Sequence, residues 1–173
     1  MLTKKMQNAL NQQVNAEFYS AYLYLAMEAY FKSLNLPGFA NWMRVQTQEE
    51  LTHAIKIYDF VIERGGTVTL KQIAQPPTKW KSPLDAFEAA YKHEQLVTAL
   101  INDLVNLAVK EKDHATSTFL QWFVNEQVEE EASANDVVQK LKMTDKSPGG
   151  RLLIDRELAQ RVFTPPPPQT QGE

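Results

Sequence analysis

A chain of 173 residues, 43% hydrophobic and 23% charged with a net charge of -3, has the size of one domain and can bury roughly 70% of the surface its unfolded form exposes. That balance gives no broad basic field for nucleic acid or an anionic membrane. The absence of cysteine excludes disulfides, thiolate-held zinc, iron–sulfur clusters and thiol catalysis, leaving carboxylate and imidazole as the strong metal ligands, a set suited to iron, manganese or magnesium.

Glycine is scarce and apolar residues recur with a helical period, which predicts an all-α chain built on four long helices. At the N-terminus, MLTKKMQNALNQQ mixes polar with apolar residues. Neither there nor elsewhere is there an apolar run of roughly eighteen residues, so no signal peptide or membrane span is expected and a cytoplasmic setting is the default. The first helix is predicted near Thr3 to Ser33 and the second from Pro37 to Gly65, where Gly65 and Gly66 close it. The join between them is short enough to force an antiparallel pair. Gly66 to Ser82, with Pro76 and Pro77, follows as an extended segment. At about 3.3 Å per residue it outreaches the ~42 Å length of a helix of about 28 residues. It can therefore carry the chain from one end of a bundle to the other, with TVTLKQIA along the outside.

Ser82 and Pro83 form a cap and first-turn pair that opens the third helix, predicted to end at Lys110. After another short turn the fourth runs from Asp113 to Lys142, antiparallel to the third. Ser147 and Pro148 open a short fifth helix expected to end near Phe163. The Pro165 to Pro168 run beyond it permits only an extended tail. The bundle and its terminal helix thus take up 1–163, and 164–173 form a Pro-rich tail.

Residues facing a bundle core recur at alternating spacings of three and four. The stripes are Leu10, Val14, Glu17, Ala21, Tyr24; then Met43, Gln46, Glu50, His53, Ile57, Phe60; then Leu84, Phe87, Tyr91, Glu94, Thr98, Ile101, Val105; and finally Phe123, Gln127, Glu130, Ala134, Val137, Leu141. Each carries one glutamate near the middle of its helix, so Glu17, Glu50, Glu94 and Glu130 are expected at one level. Buried carboxylates repel one another and resist ionisation. Two divalent cations offset four of them, and inward Glu and Glu-x-x-His segments are the known carboxylate-bridged di-metal arrangement of helix bundles. Glu50 and His53, three apart, can converge on one ion, as can Gln127 and Glu130. Tyr24 lies two turns beyond Glu17, where core packing and a hydrogen-bonding or radical role beside the metals are both open. Glu49, Glu126 and Glu129 flank the level as a candidate further metal position leading to the surface. His93 and His114 lack comparable company and read as surface residues.

The segments AEFYSAYLYLAM, NWMRVQTQEELTHA and FLQWFVNEQVEEEASA, with Glu94 directly after His93, resemble the non-haem ferritins of bacteria and archaea, and the resemblance extends to about Phe163. It implies a ferritin-like four-helix bundle with one long crossover and a short fifth helix packing at a fourfold axis, in a shell of 24 subunits. It further implies a ferroxidase centre where dioxygen or hydrogen peroxide oxidises Fe(II), with hydrated ferric oxide stored inside. By that resemblance Glu17, Glu50 and His53 hold a first iron, and Glu50 bridges to a second held by Glu94 and Glu130. Gln127 and Tyr24 line the site, and Glu49, Glu126 and Glu129 match a third iron position.

Haem-binding relatives carry methionine after the second-helix glutamate, whereas Leu51 stands here, so no haem is expected. They also repeat Glu-x-x-His on the fourth helix, where this chain has Gln127 and Glu130, which makes the two iron positions unequal. KEKDHATSTFLQ is poorer in carboxylates than the iron-entry channel of animal ferritins. Two further readings fit the same bundle: a di-iron enzyme acting on an organic substrate or as a peroxidase, and a self-associating bundle that takes up no metal.

Overall fold

The helices begin where short polar side chains can satisfy the free amides of a first turn. Thr3, Ser82 and Ser147 accept from the amides of Met6, Asp85 and Gly150, and Asp113 accepts from Thr116 at 3.1 Å. The structure, a computed structural model, describes residues 1–144 and 147–165. Most of the predicted tail, with Pro166 to Pro168, lies outside the described residues. The elements are α1 (Lys4–Ser33), α2 (Pro37–Glu63), α3 (Pro83–Lys110), α4 (His114–Thr144) and α5 (Pro148–Leu158), with no strand among the described residues. Among those residues no helix is long and apolar enough to cross a membrane.

Three helix ends close with one geometry. The amides of Leu36, Gly66 and Asp113 donate back to the carbonyls of Phe31, Val61 and Ala108 at 3.1, 2.8 and 2.9 Å. The residue preceding each is left-handed: Asn35 at φ 55, Gly65 at φ 72 and Lys112 at φ 56. This closure satisfies carbonyls at a helix end. At Asn35 and Lys112 it also reverses the chain at once, which yields the α1–α2 and α3–α4 hairpins. The crossover between them lies along α1 from end to end. Asn11 donates to the Thr67 carbonyl at 3.0 Å and accepts from the Thr69 amide at 2.7 Å. Asn15 donates to the carbonyls of Lys71 and Gln72, and Trp80 reaches Tyr30 with ring centroids 5.3 Å apart.

The core falls into two apolar halves. One gathers Tyr24, Met27, Phe31, Phe39, Trp42 and Phe87; the other gathers Met6, Leu10, Ile57, Ile101, Leu120 and Phe123. Between them, on all four long helices, the inward residues are polar.

The fifth helix is shorter than its sequence suggests, ending at Leu158 rather than near Phe163. The cause is Asn41, whose side-chain amide takes the carbonyls of both Leu158 and Arg161, at 3.1 and 2.9 Å, and so turns the chain out of the helix. α5 in turn caps α2. Leu36 gives α2 no side-chain cap, and the buried Asp155 accepts from the amides of Gly38 and Phe39 at 2.8 and 3.1 Å. A β-carbon on Gly38 would lie 1.6 Å from the Asp155 carbonyl oxygen, so only glycine lets the two backbones meet there. Asp155→Ala is expected to cost about 1–2 kcal/mol at this contact, the value of a lost helix cap. Amide exchange in α5 should speed up roughly 5- to 30-fold while α1 to α4 keep their protection.

Candidate metal centre

The polar layer between the apolar halves contains the residues that the four stripes predict. Glu17, Glu50 and Glu94 are each 1% exposed and Glu130 is 6% exposed, with His53, Gln127 and Tyr24 also buried. Helical spacing brings them together. Glu17 sits between Val14 and Ala21 on α1, and Glu50 and His53 share one face of α2, with His53 Nδ1 3.5 Å from Glu50 Oε2. One ligand atom each from Glu17, Glu50 and His53 lie within 4.8 Å of one another, and the same holds for His53, Glu126 and Glu130. His53 therefore belongs to both groups. Trp122 and Phe123 hold its ring edge-on at 5.4 and 5.9 Å.

Glu94 faces the layer from α3 and is held by neutral donors. Tyr24 Oη donates to its Oε1, and Gln127 Nε2 lies 3.3 Å from its Oε2. Gln46 Nε2 donates to Glu130 Oε2, and Gln13 Nε2 to Glu17 Oε1 at 2.8 Å. Among the described residues, Oε2 of Glu17 and Oε2 of Glu50 are buried with no hydrogen-bond partner. Buried carboxylate oxygens without donors are rare because each forfeits its hydration. Two of them facing one pocket with an imidazole have the chemistry of ligands for a hard cation.

The electrostatics agree. Burial first, then the charges of Glu94, Glu17 and Glu130, push the Glu50 carboxyl well above the usual range. Burial and the nearby Glu130 push Glu94 up to about 8, against the opposing bonds from Tyr24 and Gln127. Burial and the carboxylates of Glu94 and Glu50 raise the Tyr24 phenol. Without cations Glu50 and Glu94 thus hold protons at neutral pH, and cations that enter must displace them.

The flanking residues separate. Glu126 is half-buried and joins His53 and Glu130. Glu129 is exposed and belongs to neither group. Glu49 is half-buried, with Oε2 2.7 Å from Nη2 of Arg161. Burial lifts Glu49 to about 7, with Arg161 opposing.

His93 is not the surface residue its isolation in sequence suggests. It is half-buried between α1 and α3, with Nε2 2.8 Å from Ser20 Oγ and its ring 6.1 Å from Tyr24. Burial lowers its pKa to about 4, so it backs Tyr24 as a neutral ring. His114 is exposed, as expected. Sequence reasoning missed Gln13, four residues before Glu17 and therefore on its face, and the donor role of Gln46, which the stripe had already turned inward. Arg161 carried no local signal.

Known proteins share this architecture. A family model described as a ferritin-like domain matches residues 7–144. A bacterial non-heme ferritin of Bacteroides fragilis is 45% identical over 161 residues, covering 93% of this chain and all of the relative. Another, from Staphylococcus saprophyticus, is 41% identical, with 94% and 98% covered. Among solved structures, an Archaeoglobus fulgidus ferritin engineered into a closed form matches at 57% identity with a TM-score of 0.93, over 95% of this chain and 100% of that one. An open-pore ferritin from the same archaeon matches at 56% identity, also with a TM-score of 0.93, over 94% and 100%.

A raised carboxyl pKa sets the sign of a pH effect. Glu94 titrates at 4.5 ordinarily and at about 8 in the fold, so the fold binds the proton more tightly than the unfolded chain. Its contribution is full below 4.5 and is lost as pH rises to about 8. The metal-free protein should therefore lose thermal stability between these values, and Glu94→Gln, which carries no charge at any pH, should lose less. Melting curves of both proteins at pH 5, 6.5 and 8 measure the difference; equal slopes would contradict it.

Proposed function

The chain belongs to the ferritin family, and from that premise we propose that it is an iron-storage subunit that oxidises Fe(II) to Fe(III) at a di-iron ferroxidase centre before mineralisation. The observation that carries this reading is the buried layer itself. Four glutamates from four helices and one histidine meet between two apolar halves, with oxygens of Glu17 and Glu50 unpartnered.

In this reading Glu17, Glu50 and His53 take one Fe(II), and Glu50 reaches across to a second held by Glu94 and Glu130. Gln127 and Tyr24 line the second position, with Tyr24 orienting Glu94. The charge count favours turnover. Two Fe(II) ions balance four carboxylates, but two Fe(III) ions leave two positive charges in excess in a poorly solvated pocket, which favours hydroxide uptake and release. Each Fe(II) gives up one electron. With two protons, the pair reduces dioxygen to hydrogen peroxide, or hydrogen peroxide to two waters. Each released Fe(III) then takes oxygen from water, forming hydrated oxide and giving up three protons. Oxygen ligands suit both oxidation states, and flexible glutamates permit release.

A third, weaker ion position is proposed at Glu49, Glu126 and Glu129. The mineral requires a closed volume, and the reading supplies it as a shell of 24 subunits. Leu152 and Leu153 of α5, 61% and 68% exposed, suit burial between copies around a symmetry axis. The setting is proposed as cytoplasmic, and no haem is assigned, since Leu51 stands where haem-binding relatives carry methionine.

Replacing both Glu50 and His53 by alanine should cut the initial rate of Fe(II) oxidation by at least the roughly 10- to 100-fold that loss of an outer-shell partner costs a metal site, while assembled particles remain. Stopped-flow absorbance after aerobic Fe(II) addition, with sizing of the same sample, tests this. An unchanged initial rate would move the chemistry elsewhere. Wild-type particles should take up many more irons than two per chain, whereas a limit of two on a small oligomer would select an oxidase acting on another substrate.

A further inference from the structure

Beyond α5, residues 159–165 form a strap that stays on the bundle. With the Arg161 carbonyl fastened by Asn41 at 2.9 Å, the Arg161 side chain descends along α2 over three residues on one face. Its guanidinium lies 4.5 Å from the Trp42 ring centroid. Nη1 donates to Gln46 Oε1 at 2.7 Å and lies 3.5 Å from the Trp42 carbonyl. Nη2 donates to Glu49 Oε2 at 2.7 Å. Just below is a cavity of about 200 Å³, walled on one side by Phe163 and Pro165 and on the other by Glu49, His53, Trp122 and Glu126. The strap thus covers the side of the centre where Glu49 and Glu126 stand.

A guanidinium is charged at every accessible pH and offers donors only. Its seat on Glu49 is therefore a cation site already filled by the chain. A divalent ion bonded to the same carboxylate would sit against a fixed positive charge. The same side chain dictates the orientation of Gln46: the amide oxygen must face the guanidinium, which leaves the NH2 group to donate to Glu130.

We propose that Arg161 is a built-in cation occupying the third metal position at Glu49, so that the centre keeps two ions tightly and a third binds only when the guanidinium is displaced. This rests on the reading of the glutamate layer as a two-ion centre. It makes Arg161 a positioning residue, because it acts on the ions through Glu49 and Gln46. It also assigns the strap a role in iron transfer: an ion leaving past Glu126 competes with Arg161 for Glu49.

The test is calorimetric titration of the assembled, metal-free protein with Zn(II), which is redox-inert and reports binding alone. Wild type should bind two tight ions per subunit and Arg161→Gln three. Adding Glu49→Gln to that variant should return the count to two. Glu49→Gln alone, which leaves Arg161 in place, should remain at two, and Arg161→Ala, with three expected and two overturning the proposal, takes the place of Arg161→Gln if that variant does not assemble. A count of two in Arg161→Gln overturns the proposal, as does a wild-type count of three that Glu49→Gln reduces. Fewer than two tight ions in wild type would fall on the two-ion reading itself and remove this inference with it.

Discussion

Burial of four carboxylates close enough to feel one another's charge is the constraint on which the rest of the structure depends. A helix bundle of this length could fill its middle with apolar side chains, as it does above and below the layer. Instead Glu17, Glu50, Glu94 and Glu130 interrupt the apolar packing on all four helices. Each loses hydration and faces the charge of the others, which is why Glu50 and Glu94 are held far from their ordinary ionisation. Hydrogen bonds from Tyr24, Gln127, Gln46 and Gln13 relieve part of this cost. They leave oxygens of Glu17 and Glu50 without donors. The proposed pair of divalent cations would complete this layer, matching it in donor set and in charge.

The scaffold answers that constraint by rigidity. Aromatic packing on one side, with Phe31, Phe39 and Phe87 in mutual contact and Trp42 against Phe87, and mainly aliphatic packing on the other fix the helices at both ends of the layer. The left-handed closures at Asn35 and Lys112 set the register within each hairpin. Asparagines on α1 tie the crossover along its length. At the far end, α5 supplies the cap that α2 lacks. It then delivers Arg161 beside the layer, where a fixed cation has consequences that a loose tail could not have.

Most of this architecture can be read from the sequence because it follows from period and punctuation. The stripes at three and four spacing place Glu17, Glu50, His53, Glu94, Gln127 and Glu130 inward, and all six are buried. Thr3, Ser82, Ser147 and the prolines mark helix starts within a residue or so. What the sequence conceals is what depends on distant partners. Nothing local tells that α5 stops at Leu158, because the stop comes from Asn41, or that His93 is shielded, because Ser20 and Tyr19 on α1 shield it. Arg161 lies 112 residues from Glu49, and an arginine before an apolar pair and a Pro-rich run reads as solvent-facing. Glu49, Glu126 and Glu129 look equivalent by spacing, yet they differ because the first meets Arg161, the second faces the layer and the third faces outward.

The central claim is that the glutamate layer is completed by two cations, and anomalous diffraction from crystals loaded with Zn(II) or anaerobic Fe(II) tests it most directly. The account predicts two peaks per subunit roughly 3.5–4 Å apart, one within about 2.0–2.2 Å of ligand atoms of Glu17, Glu50 and His53 and the other at the same range from Glu94 and Glu130. Peaks confined to the particle surface, with the layer free of anomalous signal at saturating metal, would contradict it.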